Sequence, residues 1–154
     1  MEYATIEREI HIEASPEIVF EVISRPEHLS EWWPDEAHIE PLPGAVGELV
    51  FGGHGSDGAA AAVPITVLDV EPHHRFSFRW VHPEGEAATA SNSFLVTFEL
   101  APAGGGTSLR MTEVGFREQG WEAAVLQAAY EDHVQGWAHF LPRLSEYAAT
   151  LVSR

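Results

Sequence analysis

The chain contains no cysteine, which excludes disulfides, thiolate metal sites and cysteine nucleophiles. Basic residues are scarce: eight Lys and Arg stand against twenty-four Asp and Glu, a formal net charge of -16 over 154 residues. Such a surface repels phosphate backbones and anionic lipid headgroups, so neither nucleic acid nor a membrane is an expected partner. Solubility alone accounts for the acidity. No apolar run approaches the roughly 18 residues of a membrane span. The N-terminal stretch MEYATIEREIHIEAS is acidic and alternating, the opposite of a signal peptide, and points to a cytoplasmic protein. Also missing are a phosphate loop, a dinucleotide fingerprint, a serine-nucleophile elbow and an HExxH motif. The nine histidines show no paired ligand spacing on one element, so no metal and no other cofactor is implied. His54-Gly55-Ser56-Asp57-Gly58 reads as a glycine-rich turn and no more.

What the chain does have is large rings and one long apolar stripe. Hydrophobic residues make up 45% of it, with five Trp and eight Phe, enough for one domain spanning residues 1–154 with a real core or cavity. Between Val114 and Arg154 the residues Tyr130, His133, Val134, Trp137, Leu141, Leu144, Ala148 and Leu151 recur at steps of three and four. That spacing predicts one long helix with a single buried face. Pro142 interrupts it and predicts a bend, with the helix in two segments of different direction. Gly136, also in the helix interior, costs about 1 kcal/mol relative to Ala and suggests close approach of a strand or ring.

Upstream the periods are shorter. Thr5 to Ala14 alternates as a strand, with Ile6, Arg8, Ile10 and Ile12 on one face. Ser15-Pro16-Glu17 carries a cap, a first-turn proline and a dipole-matched acid, and so starts a helix. Pro26 opens a second short helix that Pro34 stops. Six further strands are expected near 36–42, 46–53, 60–71, 75–82, 92–101 and 107–115, separated by Gly- and Pro-rich turns. Pro64 argues for an edge or a bulge in its strand. A bent antiparallel sheet wrapped around the long helix, with two short helices closing one end, satisfies both patterns.

That order, and in particular EREIHIEASPEIVFEVISRPEHLSEWW, VLDVEPHHRFSFRW, TEVGF and HVQGWAHFLPRLSEYAA, resembles the α+β helix-grip fold of the START and Bet v 1-like superfamily. More narrowly, it is similar to the bacterial family named after the C-terminal domain of the activator of Hsp90 ATPase. The resemblance covers essentially the whole chain. It implies a small hydrophobic or aromatic ligand held between sheet and helix, in a monomer or homodimer. Other members imply two alternatives: a chaperone-associated, stress-response module, or a cyclase- or hydrolase-like enzyme using the cavity. Transfer of function along a fold is analogy.

The resemblance places the first and last strands side by side. Arg8 and Glu113 then point inward as neighbours and are expected to pair, since burying either alone costs several kcal/mol. The pair is either a structural ion pair or a polar anchor in a cavity wall. His133 lies on the inward stripe of the helix, as a hydrogen-bonded core residue or as part of a binding site. Trp33, Phe51, Phe78, Trp80, Phe98, Met111 and Trp137 either fill a core or wall an apolar pocket; the resemblance favours the pocket, with Arg8, Glu113 and His133 as its polar groups. No catalytic residue is assigned. The glycine-rich stretch 52–58 is expected to form a lip beside the opening.

Overall fold

The computed structural model describes residues 4–52 and 60–152. Strand β1 (Thr5–Ile12) is followed by helices α1 (Pro16–Ser24) and α2 (Pro26–Trp32), strands β2 (Glu36–His38), β3 (Val46–Gly52), β4 (Ala60–Glu71), β5 (Arg75–Trp80), β6 (Phe94–Ala103) and β7 (Gly106–Val114), and the long helix α3 (Ala123–Val152). The strands form one antiparallel sheet in the order β1-β7-β6-β5-β4-β3-β2. Its inner face carries every second residue, among them Phe76, Phe78 and Trp80 on β5, Phe94, Val96 and Phe98 on β6, and Leu109, Met111 and Glu113 on β7, all buried.

Local chemistry sets the element ends. The Ser15 hydroxyl accepts the Ile18 N–H at 3.3 Å, and Pro16 occupies the first turn of α1, where its missing donor has no cost. Arg25, held extended ahead of Pro26, ends α1 and begins α2 in one residue. The buried Trp32 indole donates to the Val22 carbonyl at 2.9 Å, which fixes α2 against α1. Trp33, next in the chain, is thereby turned toward the sheet.

Pro64 lies in an interior strand, not at an edge: β4 is flanked by β3 and β5. It is tolerated because β5 has already ended beside it. Ile65 pairs with Trp80, and Val81 then turns away with φ 67 after donating its N–H to the Pro64 carbonyl at 3.0 Å. In a strand the N–H and C=O of one residue point to the same side, so the donor that proline lacks faces the end of β5 and not a strand that needs it. No bulge falls at Pro64 itself; the register with β5 shifts a few residues further on, between Val67 and Asp69.

Helix α3 is continuous through Pro142. Pro142 and Ala138 are both exposed, so the carbonyl that loses its proline-side donor is on the solvent side of the helix. Past the proline, Leu141, Leu144 and Ala148 remain buried. The Tyr147 hydroxyl meets His28 Nδ1 of α2 at 2.7 Å. The first half of the helix is different: between Ala123 and Gly136 no residue is fully buried, although Leu126, Ala129, Tyr130 and Val134 still touch the core. The helix is thus buried more deeply along its C-terminal half, while its N-terminal half is tied to β1 by the Tyr130 hydroxyl, which donates to the Thr5 carbonyl at 2.8 Å. Leu144→Ala is expected to cost about 2–5 kcal/mol in chemical denaturation. Leu126→Ala, in the less buried half, should cost under about 1.5 kcal/mol; equal losses would contradict the asymmetry.

Candidate functional site

The alternation of β7 puts Glu113 on the inner face beside Leu109 and Met111, opposite Ile6 of β1 and Val96 of β6. Its side chain is 0% exposed. A carboxylate in that position accepts hydrogen bonds and donates none, so it requires N–H or O–H groups aimed at it. Three side chains supply them. Trp80 Nε1 donates to one carboxylate oxygen at 2.8 Å and Trp137 Nε1 to the other at 2.8 Å. His133 Nδ1 lies 2.9 Å from both oxygens. Because the carboxylate is acceptor-only, Nδ1 must carry the proton. Trp80 belongs to β5, while His133 and Trp137 sit one turn apart on α3, so this one carboxylate ties three elements together.

The expected Arg8–Glu113 pair is not formed. The register sets Arg8 opposite Met111, and it is Ile6 that faces Glu113. β1 is an edge strand, and the long Arg8 side chain leaves the core face for solvent, where Nη1 donates to the Glu7 carbonyl at 2.7 Å. A hydrated guanidinium avoids the desolvation cost of burial, and the Glu113 oxygens are already occupied. Arg8 lies away from the pocket.

Beside this cluster opens a cleft of about 580 Å³, predominantly apolar. Trp33, Phe51, Val63 and Trp80 form its sheet-side wall, and His133, Gly136, Trp137 and Phe140 its helix-side wall. Trp33 is the hub of the aromatic wall, with ring centroids 5.0 Å from Trp80, 5.3 Å from Trp137 and 6.0 Å from Phe51. Five of the expected residues, Trp33, Phe51, Trp80, His133 and Trp137, line the cleft, and Glu113 stands behind three of them. Phe78, Phe98 and Met111 do not reach it: each is at most 1% exposed and packs beneath the wall. Phe78 contacts Trp33 at 5.7 Å and Phe98 contacts Trp137 at 6.1 Å between centroids. The expected lip over 52–58 lies, beyond Gly52, outside the described residues.

Gly136 was expected to admit a close neighbour; instead a Cβ there would meet nothing within 4 Å among the described residues. Its helix-propensity cost was visible in the sequence, but that the space belongs to a cleft was not. The indole N–H groups were missed as partners because tryptophan counts as apolar in a periodicity argument, although a buried indole needs an acceptor. Among the described residues no group of three or more His, Asp or Glu is placed to hold a metal ion, and no helix is long and apolar enough to cross a membrane.

A seven-stranded antiparallel sheet with two short helices after its first strand and a long C-terminal helix across its inner face is the helix-grip architecture. The chain belongs to the family described as Activator of Hsp90 ATPase homolog 1-like protein, whose model matches residues 13–149. Among solved structures it is similar to protein NE0264 from Nitrosomonas europaea, at 15% identity and TM-score 0.80, covering 100% of this chain and 99% of the other. It is also similar to the Aha1 dimer from Colwellia psychrerythraea, at 19% identity and TM-score 0.68, covering 92% and 93%. A third is DynU16, a protein in the dynemicin biosynthetic locus, at 21% identity and TM-score 0.71, covering 96% of this chain and 48% of that one. Comparison with curated proteins gives no match.

The hydrogen-bond geometry predicts unequal responses to substitution. Glu113→Ala should destabilise the protein by about 3–5 kcal/mol, because it leaves two buried indole N–H groups and the His133 N–H without their acceptor. Arg8→Ala should change stability by less than about 0.5 kcal/mol. Urea titrations of the two variants check this; similar losses would restore the Arg8–Glu113 pair.

Proposed function

We propose that the protein binds a small, flat, apolar or aromatic molecule in the cleft between the sheet and the middle of α3. The observation that carries the reading is Gly136. A glycine in a helix interior is destabilising, and here no packing neighbour among the described residues requires it; what it leaves is room in an aromatic-walled cleft. The volume of about 580 Å³ is within the usual range for small-molecule sites. Trp33, Phe51, Trp80 and Trp137 offer ring faces and edges for stacking. The formal charge of -16 disfavours anionic ligands. A neighbour from a biosynthetic locus on the same fold is compatible with a role in handling such molecules, in the cytoplasm and without a cofactor.

The test uses a panel of flat aromatic and steroid-like compounds, read by thermal shift and by tryptophan fluorescence. A binder should raise the melting temperature by mass action and quench or shift the emission of Trp33, Trp80 and Trp137. Gly136→Ala should stabilise the helix by up to about 1 kcal/mol, and Gly136→Leu should abolish binding with no loss of melting temperature. No shift across the panel, or undiminished binding by Gly136→Leu, would overturn the cleft reading. The chaperone-associated role that the family description suggests would then take first place.

A further inference from the structure

We propose that His133 Nε2 is the hydrogen-bond acceptor of the cleft, and that the ligand class is a flat aromatic carrying an O–H or N–H donor, such as a phenol. This deepens the ligand-binding reading above and rests on it. Nδ1 is committed, as a donor, to the Glu113 carboxylate. In the neutral ring this fixes the tautomer and leaves Nε2 with a lone pair and no proton. Nε2 has no hydrogen-bond partner among the described residues. It is also not sealed in, since the only buried side-chain polar atom lacking a partner among those residues is Arg75 Nε.

The surroundings narrow what can reach that lone pair. Phe94, Phe116 and Trp80 pack around the imidazole, with centroids 4.8, 5.2 and 5.6 Å away. Two of these rings have no polar atom, and the Trp80 N–H is already given to Glu113. The His133 side chain is 13% exposed and lines the cleft. Water or a donor on the ligand must therefore satisfy Nε2 from that side. A ligand carboxylate would meet a lone pair backed by the Glu113 charge, with Asp132 also on the wall. A neutral hydroxyl or N–H meets an acceptor whose orientation the carboxylate behind it fixes. Glu113 is then a positioning residue and His133 the ligand contact.

The experiment compares 2-naphthol with 2-methoxynaphthalene, nearly equal in shape but differing in the donor. It is run at about pH 8.5, where an ordinary imidazole is neutral. The native protein should bind the naphthol about tenfold more tightly, the effect of one hydrogen bond to a buried acceptor. His133→Phe should remove that preference while still binding the methoxy compound. Nitrogen NMR of the native protein supplies a readout that does not depend on the variant folding: Nε2 should be the unprotonated nitrogen and should shift on adding naphthol but not the ether. Equal affinities in the native protein, a preference that survives in His133→Phe, or a proton found on Nε2 would overturn the assignment while leaving the cleft intact. Failure of both compounds to bind overturns the cleft reading, and this inference with it.

Discussion

A carboxylate removed from water is tolerable only where oriented donors replace the hydration it loses. Glu113 meets that condition with two indoles and an imidazole, and each donor is in turn immobilised by the bond. The same contact holds Trp80 of the sheet and Trp137 of the helix at a fixed separation. An apolar residue at position 113 would let these rings pack in any arrangement that excluded water. A charge with directional demands allows one. The cleft has a defined shape because its wall is hydrogen-bonded from behind.

The aromatic wall shows a related division of labour within a dipeptide. Trp32 and Trp33 stack on one another, at 5.7 Å and 16° between planes. Trp32 uses its N–H to fasten α2 to α1 and is fully buried. Trp33 inherits that rigidity and presents its ring to the cleft. A pocket wall built this way pays little ordering entropy on binding, since its rings are already fixed.

The elements and their faces were legible in the sequence because they rest on period. The stripe from Tyr130 to Leu151 and the alternation on β5, β6 and β7 needed no tertiary information. The site was legible only in part. Face alternation gives the direction of a Cβ, and for Glu113, whose side chain is short, that decided the outcome. For Arg8 it did not, because a long side chain on an edge strand can turn back to water. Pro64 shows a similar limit: its rule concerns missing donors, and whether a donor is missed depends on where the neighbouring strand ends. The side chains of Phe78, Phe98 and Met111 share a pattern with those lining the cleft, and depth below the surface is not encoded in a period of two.

The neighbourhood of β1 and β7 has a consequence in time as well as in space. The register joins Thr5 to Val114 and Ile12 to Thr107, so among the described residues β1 is paired only with β7, a strand made about a hundred residues later. Until β7 emerges, Ile6, Ile10 and Ile12 have no core to enter, and contacts of such sequence separation form slowly in any case. The waiting strand is guarded by its own alternation. Glu7, Glu9 and Glu13 stand between and beside the isoleucines and are exposed in the finished fold; like charges of that density oppose pairing with another copy of the same strand. The acidity of this strand thus opposes self-association while the chain is still being made.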